Sequence, residues 1–361
     1  MSTTRLPLLI DIHRHLRDFE EEHKGTFKTE TAAALASGFG TVFAMPNTKP
    51  SIITVETLLE ARSRAAREGI YCDVAFHFGT NGRNRSQFRR IPKGLVRGLK
   101  VYLAETHGGL NIQPNPKLIN ILLKRWPGVV MFHSPGEDLL NKIVRAVIEG
   151  PGASRIANRN RIHICHVSTA DEVNLLRTVK TINIFRHLTA EVCPHHLIFT
   201  EADLPQLGAY GIMKPPLATK VDQEELWAGV KDRTIDIIAT DHAPHSTADK
   251  EAGAFGVISE PTFPVIWEAF RQRGFSIEDL VRMMHGRPAE IFDIYPDPDS
   301  YMEVDLSDRF VFERSMIHSK AGRSPYEGMR VRGRIIDAYL HGTQVIRGGE
   351  ILEGIKAGRV I

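Results

Sequence analysis

The chain alternates short apolar runs with longer amphipathic segments, and this alternation restricts the folds that it can adopt. Segments such as 55–69, 138–150 and 169–180 have the spacing of apolar residues that is typical of helices. Strands that alternate with helices favour a parallel sheet, and eight of them predict an α/β fold of the (β/α)8, or TIM-type, barrel kind. The runs lie near residues 7–11, 40–45, 71–78, 97–103, 128–132, 162–166, 187–193 and 235–240.

The pattern changes after about residue 297. Sequences such as DLSDRFVFERSMIHSK and GMRVRGRIIDAYLHGTQVIRGGEILEG are typical of short strands joined by glycine-rich turns. We therefore predict a catalytic barrel over residues 1–296 and a small β-rich appendage over residues 297–361.

Asp11, His13 and His15 stand in strict alternation directly after the first apolar run. Residues two apart in an extended segment project to the same side, so the two imidazoles are expected to converge. Neutral imidazole is the commonest protein ligand for divalent metals, and the Asp11 carboxylate is placed to orient one of the rings. A surface loop with incidental histidines is the alternative, because isolated His-x-His pairs also occur by chance.

Three further candidate ligands come at the ends of later runs. His133 follows the fifth run, His166 ends the sixth and Asp241 ends the eighth. The carboxyl ends of the strands form the active-site face of such a barrel, so these side chains are expected to meet in its mouth. Because His163 and His166 are three residues apart, we expect them to face opposite sides of an extended strand, so that only His166 faces the mouth. Asp241 is suited both to bind a metal and to transfer a proton.

Lys100 lies inside the otherwise apolar segment GLKVYL. An unpaired buried ammonium is costly, so this side chain must either reach the end of its strand or be chemically compensated. A carbamate formed with carbon dioxide would turn the cation into an anion whose two oxygens can bridge metals. Both interpretations remain open at this point.

The composition excludes several classes of protein. The chain of 361 residues is 42% hydrophobic and 25% charged, as is ordinary for a globular protein. A net charge of +3 and scattered Arg and Lys give no indication of nucleic-acid binding, and no apolar run approaches the roughly 18 residues of a membrane span. The N-terminal sequence predicts no signal peptide, and Cys72, Cys165 and Cys193 lie in apolar runs, which favours reduced thiols and a cytoplasmic location.

Six motifs follow one another along the chain: IDIHRHLRD, FAMPNTKP, GLKVYLAET, HICHVST, AEVCPHHL and ATDHAPHS. Together they resemble the dihydroorotases of the cyclic amidohydrolase superfamily. They occur in the order in which that family has them, which makes the set far more specific than any one motif. The likeness runs from about residue 8 to 292, and the segment GLKVYLAET is most similar to the dihydroorotase domain of animal multifunctional pyrimidine enzymes.

The resemblance implies a binuclear metal centre. Two Zn²⁺ per subunit would be bridged by Lys100, as its N6-carboxylate, and by a hydroxide. Five side chains would complete the ligand set: His13, His15 and Asp241 on one ion, His133 and His166 on the other.

The resemblance also implies a set of substrate contacts. Arg17 matches the residue that clamps a substrate carboxylate, a task that suits the fork of a guanidinium. Asn47, Thr106 and His245 match further contacts, with Thr106 on a loop that closes over substrate. Lys214 stands where relatives carry arginine or asparagine, and it offers positive charge without a fork.

The resemblance also bears on a further carboxylate, on one loop and on the appendage. Glu191 matches a carboxylate near the metals, although we favour a structural hydrogen-bonding role for it. The segment FGVISEP lacks the family's usual G-x-x-G-x-E motif, but Gly256 is still expected to offer backbone contacts. Many relatives place strands ahead of the barrel, but we expect none in this chain, so that the C-terminal tail alone builds the appendage.

The implied activity is reversible hydrolysis of (S)-dihydroorotate to N-carbamoyl-L-aspartate, a step of pyrimidine biosynthesis. Asp241 would transfer the proton. A homodimer and association with aspartate transcarbamoylase are implied as well, without nucleic-acid or membrane partners. Two alternatives stay open: another cyclic amidohydrolase, such as a hydantoinase or allantoinase, and an inactive scaffold that partners aspartate transcarbamoylase. The fold alone does not separate them.

Overall fold

A barrel of parallel strands forms the body of the computed structural model, which describes residues 3–133, 135–150 and 161–361. Each of the eight predicted runs overlaps a barrel strand, and the third strand is interrupted at His77. The backbone N–H of His15 donates to the carbonyl of His242 at 2.8 Å and closes the ring. The strands are Leu9–Arg14, Phe39–Ala44, Asp73–Phe76 with Phe78–Gly79, Gly98–Tyr102, Val129–His133, Ile162–Ile164, Leu188–Val192 and Ile237–Ile238.

Helices surround the barrel wall. Threonines cap several of them, and in each case the hydroxyl accepts a hydrogen bond from the N–H three residues on, as at Thr54 and Thr169. The longer helices are Phe27–Ala36, Val55–Glu68, Pro116–Arg125, Glu137–Ile148, Ala170–Lys180, Lys220–Lys231 and Thr262–Gln272. The shorter helices are Pro194–Ile198, Leu204–Leu207, Thr247–Glu251, Ile277–Val281 and Arg287–Phe292.

The barrel interior is packed with apolar side chains. Ile12, Phe43, Met131 and Ile237 are buried there, each contributing about 1.5–3 kcal/mol by its removal from water. Phe292 enters the interior and meets Phe43 edge to face, with ring centroids 5.3 Å apart. This packing leaves the mouth at the carboxyl ends of the strands as the open end of the barrel. No helix within the described ranges is long and apolar enough to cross a membrane.

The appendage is an antiparallel five-stranded sheet, and its composition corrects one expectation. The N-terminal strand Thr4–Pro7 pairs with Tyr301–Val311, so the C-terminal tail does not build the sheet alone. This strand could not be recognised in the sequence, because its four residues directly precede a barrel strand and cannot be distinguished from the start of that strand. The other strands are Arg330–Leu340, Thr343–Arg347 and Glu350–Ile351.

The chain end returns from the appendage to the barrel. The N–H of Val74 donates to the carbonyl of Arg359 at 2.9 Å, and the N–H of Ile361 donates to the carbonyl of Val74 at 3.0 Å. The indole of Trp267 donates to the carbonyl of Leu306 at 3.1 Å and ties the appendage to a barrel helix. The division into residues 1–296 and 297–361 stays a prediction, with pairing that crosses it at both chain ends.

Candidate active site

One cavity at the carboxyl ends of the barrel strands gathers most of the residues singled out from the sequence. Two predicted residues do not line the cavity. Lys100 lies below the lining and contacts His13, and His245 lies behind Arg17, which it contacts. The predicted residues that line the cavity are His13, His15, Arg17, Asn47, Thr106, His133, His166, Lys214 and Asp241.

His13 and His15 converge on the carboxylate of Asp241, as their alternation along the first strand predicts. The Oδ1 atom of Asp241 lies 3.1 Å from Nε2 of His13 and 3.0 Å from Nε2 of His15. Burial acts to raise the pKa of Asp241, but the two histidines hold it well below its ordinary value, so the carboxylate is ionised. Burial lowers the pKa of His15 to about 4, which leaves its ring neutral near pH 7.

His133 and His166 form a second pair of rings. Nδ1 of His133 and Nε2 of His166 are 2.7 Å apart. Burial lowers the pKa of His133 to about 3, and burial together with the neighbouring His133 lowers that of His166 well below its usual range. Both rings are therefore neutral near pH 7, which is the state in which imidazole binds a metal.

Lys100 is fully buried beneath these rings. Its Nζ atom lies 3.3 Å from Nε2 of His13 and 2.9 Å from Sγ of Cys165. The interpretation in which this side chain extends to solvent at the strand end is therefore wrong. The structure leaves the carbamate as a prediction. Cys165 is one of three buried cysteines, none of which is paired in a disulfide.

Asp11 does not orient an imidazole ring, contrary to the expectation from the D-x-H-x-H pattern. Its carboxylate accepts hydrogen bonds from the backbone N–H of Thr240 at 3.0 Å and from the hydroxyl of Thr240 at 2.5 Å. It also pairs with Arg14 at 3.4 Å. Asp11 therefore joins the first strand to the segment that follows the last one, and it positions His13 and Asp241 through the backbone.

Glu191 performs the orienting task instead. One carboxylate oxygen pairs with Nδ1 of His13, and the other lies 2.9 Å from Nε2 of His163. The first oxygen also accepts from the backbone N–H of His166 at 3.3 Å. Burial acts to raise the pKa of Glu191, but His13 and His163 bring it well below its ordinary value. The favoured structural role is thus combined with a position directly against a candidate metal ligand.

His163 and His166 both turn toward Glu191 and so lie on the same side of the wall, contrary to the opposite sides expected from their spacing, although only His166 of the two lines the cavity. The strand ends at Ile164, and His166 has a positive φ of 38°, so the alternation of an extended chain does not reach it. His163 lies inside the barrel below the mouth, where its Nδ1 is 2.9 Å from the hydroxyl of Thr189.

Arg17 and Asn47 present polar groups to the cavity. Nε of Arg17 donates to the carbonyl of Pro244 at 3.1 Å, and its Nη2 lies 2.9 Å from Nε2 of His245. The third guanidinium nitrogen, Nη1, is buried and has no hydrogen-bond partner among the described residues. The amide of Asn47 donates to the hydroxyl of Thr106 at 3.1 Å, so the loop that carries Thr106 already touches the cavity wall.

Lys214 reaches across the cavity mouth to the same loop. Its Nζ atom lies 2.5 Å from a carboxylate oxygen of Glu105 and 4.3 Å from the centre of the Phe255 ring. Lys214 therefore lines the cavity as predicted, but a loop carboxylate is its ion-pair partner here.

Among the cavity residues missed from the sequence, three carry a polar or aromatic side chain: Tyr102, Glu105 and Phe255. Tyr102 stands two residues after Lys100, and the same alternation that places Lys100 could have found it. Its hydroxyl is buried and unpartnered among the described residues. Glu105 and Phe255 carry no comparable signal because they lie on loops. Gly256 was expected near the site, and a Cβ there would lie 2.5 Å from the carbonyl oxygen of Ala243.

Backbone strain is concentrated at the mouth. Arg17, His166 and Asp241 have φ values of 59°, 38° and 47°, in the left-handed region that side chains other than glycine rarely occupy. Such strain persists where the surrounding structure determines it and is typical of functional sites. These turns bring side chains from strand ends back over the cavity.

The donor set fits a metal centre of oxygen and nitrogen ligands. One nitrogen each of His13 and His15 and one oxygen of Asp241 lie within 4.8 Å of one another. Nε2 of His133 and Nδ1 of His166 are buried without a hydrogen-bond partner among the described residues. Buried polar atoms are normally satisfied, so a bound cation would account for both. Imidazole and carboxylate together are the ligands that Zn²⁺ takes in proteins.

Fold and site together are those of an amidohydrolase barrel with a candidate metal centre in its mouth. The structure resembles the L-hydantoinase of Arthrobacter aurescens with a TM-score of 0.86, at 22% identity, over 99% of this chain and 88% of that one. It resembles the inactive dihydroorotase-like domain of a Chaetomium thermophilum CAD-like protein with a TM-score of 0.79, at 21% identity, over all of both chains. Likeness at this level of identity shows the fold alone.

Sequence comparison gives the family. Residues 4–90 match the model of the "Dihydro-orotase-like" family. In an alignment of 377 positions, the chain is 32% identical to the dihydroorotase of Pyrococcus furiosus, and the alignment covers 99% of this chain and 84% of that protein. It is also 32% identical to the multifunctional protein pyr1-3 of Dictyostelium discoideum and 33% identical to the multifunctional protein CAD of Squalus acanthias, but spans only 15% of each. The chain belongs to the dihydroorotase family.

Proposed function

We propose that the chain is a zinc-dependent dihydroorotase, which opens the ring of (S)-dihydroorotate to N-carbamoyl-L-aspartate and catalyses the reverse closure in pyrimidine biosynthesis. The observation that carries this proposal is the convergence of five candidate ligands on one mouth that also holds a buried guanidinium, that of Arg17. An inactive scaffold would not need this complete donor set.

Two Zn²⁺ ions are the metals that we assign to the mouth. His13, His15 and Asp241 would hold one ion and His133 and His166 the other, with Lys100 between them as its carbamate. Bound zinc would supply Lewis acidity, polarising the ring amide carbonyl and lowering the pKa of the attacking water. The position of Lys100, 3.3 Å from His13 and buried, supports a bridging role for it.

Arg17 and Asn47 are the residues that we assign to the substrate carboxylate. The unpartnered Nη1 of Arg17 is a buried donor beside the cavity, and such a donor is best satisfied by an anion. His245 holds the guanidinium in place through Nη2, which makes it a positioning residue. Lys214 adds positive charge at the rim, and Thr106 contributes through its bond to Asn47.

Asp241 is the group that moves the proton. Because its carboxylate is ionised, it can accept a proton from the attacking water as the new C–O bond forms. It then delivers this proton to the ring nitrogen as the amide C–N bond breaks. Ring closure reverses these steps: the proton passes from nitrogen to Asp241 as the C–N bond forms, and then to the departing hydroxide, which leaves as water when the C–O bond breaks.

Association in the cell follows from the family rather than from a visible interface. We propose a homodimer that associates with aspartate transcarbamoylase, supported by the likeness to one segment of two multifunctional proteins. Three buried, unbridged cysteines support a reducing, cytoplasmic location.

Ring opening of L-dihydroorotate by the purified, zinc-replete chain tests the proposal, with hydantoin and allantoin as parallel substrates. We expect turnover of dihydroorotate alone, lost in Lys100→Ala and kept in Lys93→Ala, which removes an exposed lysine outside the cavity. Turnover of hydantoin or allantoin instead would assign the chain to another cyclic amidohydrolase. No turnover of any of the three substrates by protein with metals bound would favour the inactive scaffold.

A further inference from the structure

A second cluster of metal-binding side chains lies outside the cavity. Cys193, Pro194, His195 and His196 follow the strand Leu188–Val192 without a gap, and Pro194 begins a short helix. Neither the cysteine nor the two histidines line the cavity of the mouth, and the reaction proposed above uses none of them.

The three side chains converge in the interior. One ligand atom from each of Cys193, His195 and His196 lies within 4.8 Å of the other two. The two imidazole rings are 4.3 Å apart between centroids and inclined by 56°. At most 2% of any of these residues is exposed, so bulk water does not solvate them.

Two ring nitrogens in this cluster are left without a partner. Nδ1 of His195 and Nδ1 of His196 are buried and form no hydrogen bond within the described part of the chain. Nε2 of His196 lies 3.1 Å from the carbonyl of Pro215, and since a carbonyl only accepts, Nε2 must carry the proton. The lone pair of a neutral His196 ring is therefore on Nδ1. A ring that donates one N–H to a backbone carbonyl and keeps the other nitrogen free is the usual arrangement of a metal-ligating histidine.

A fourth buried polar group belongs to the same neighbourhood. Tyr326 stacks on Phe199, the residue that directly follows the helix Pro194–Ile198, with ring centroids 5.4 Å apart. The hydroxyl of Tyr326 is also unpartnered among the described residues. Burial raises the pKa of this hydroxyl well above its ordinary value, and the neighbouring Cys193 adds to the rise. Each polar group that is left unsatisfied in the interior lowers the stability of the fold, so a ligand that satisfies several of them at once would stabilise it.

We propose that Cys193, His195 and His196 bind a further Zn²⁺, additional to the metals of the mouth. A thiolate with two imidazoles is a ligand set that suits Zn²⁺, and the fourth position is open to an oxygen donor such as the Tyr326 hydroxyl. On binding, the thiol proton is released to solvent and the sulfur donates its electron pair, with no change of oxidation state. The ion would fasten the strand end and the helix start to the loop that carries Pro215. This role is structural and does not depend on the proposed function.

Zinc K-edge X-ray absorption of the wild-type protein tests the site without any substitution. We expect a sulfur scatterer at about 2.3 Å in addition to nitrogen and oxygen. Replacing zinc by Co²⁺ should give a thiolate-to-cobalt charge-transfer band in the near ultraviolet. The sequence has three cysteines, so single Ser variants of Cys72, Cys165 and Cys193 identify the sulfur completely.

The proposal predicts that Cys193→Ser loses the band and one zinc per chain, whereas Cys72→Ser keeps both. Loss of the band in Cys165→Ser alone would overturn it, because the sulfur would then belong to the group of His13, Cys165 and Glu191. Absence of sulfur from the wild-type spectrum would also overturn it, whether or not the variants fold. Dihydroorotate turnover measures a separate property, so failure of either proposal leaves the other intact.

Discussion

Glu191 pairs with Nδ1 of His13 and thereby turns Nε2 of the same ring toward Asp241, 3.1 Å away. The second carboxylate oxygen of Glu191 is held by His163 at 2.9 Å, so the glutamate cannot rotate without losing a buried partner. A ring oriented in this way presents Nε2 to the mouth in a single direction. The geometry of the candidate metal centre therefore depends on a carboxylate that does not itself line the cavity.

Glu191→Gln is expected to lower zinc affinity and kcat by about 10- to 100-fold each, because it weakens the partner that orients His13. Metal titration and steady-state turnover measure the two effects. Glu172→Gln is the matched control, since Glu172 is a buried glutamate that bonds Ser168 and Thr169 in a helix cap. Equal effects of both variants on zinc affinity would show that Glu191 acts only through stability.

Lys100 is expected to carry a carbamate, because an ammonium at this fully buried position lacks a carboxylate partner within hydrogen-bond distance among the described residues. Protein prepared with ¹³C-labelled bicarbonate should show a protein-bound carbamate resonance. Lys100→Ala should lack that resonance and lose zinc. A spectrum of the wild-type protein without a carbamate signal would contradict the bridging role.

Lys214 and Glu105 are expected to affect the KM for dihydroorotate in opposite directions. Lys214→Met removes positive charge from the cavity rim and should raise KM, whereas Glu105→Gln releases the ammonium toward substrate and should lower it. Both groups are partly exposed, so each change should stay within about 1 kcal/mol, or roughly fivefold. An equal rise in KM for both variants would mean that Lys214 acts only by holding the loop.

Glu260 gives a pH dependence of stability. Burial raises its pKa from 4.5 to about 7, although the backbone N–H groups of His318 and Ser319 donate to it. The folded state thus binds this proton more tightly than the unfolded state does. The stabilisation that results is fully present below pH about 4.5 and is lost as the pH rises through about 7. The resulting loss of unfolding free energy is on the order of 3 kcal/mol.

Thermal unfolding of the wild-type protein and of Glu260→Gln, compared at each pH from 4.5 to 8, isolates this contribution. The variant cannot ionise at this position. The melting temperature of the variant, relative to that of the wild type, should therefore increase as the pH rises. Parallel curves would show that the carboxylate titrates near its ordinary pKa. Comparison at equal pH removes the shared effect of metal binding.

The barrel and the position of its mouth could be predicted because both follow from local patterns. Each barrel strand is a run of apolar residues, and His13, His133 and Asp241 come where such runs end. The periodicity of an extended chain also predicts that His13 and His15 converge. These signals need no knowledge of which strands become neighbours.

The partners of buried polar groups could not be predicted, since they depend on pairs that are distant in sequence. Glu191 and His13 are 178 residues apart, and Asp11 and Thr240 are 229 apart. The same holds for the strand Thr4–Pro7, whose partner is Tyr301–Val311. His163 was misplaced for a different reason: its strand ends before His166, so alternation no longer applies.

The assignment of Arg17 to the substrate carboxylate is tested most directly by the relative kcat/KM for dihydroorotate and for dihydrouracil, which has the same ring without the carboxylate. Arg17 should favour dihydroorotate strongly, and Arg17→Met should lose about 1.5–3 kcal/mol of this preference, or roughly 10- to 150-fold, with little change for dihydrouracil. Equal turnover of the two substrates by the wild-type protein, unaffected by Arg17→Met, would contradict the assignment of this mouth to dihydroorotate.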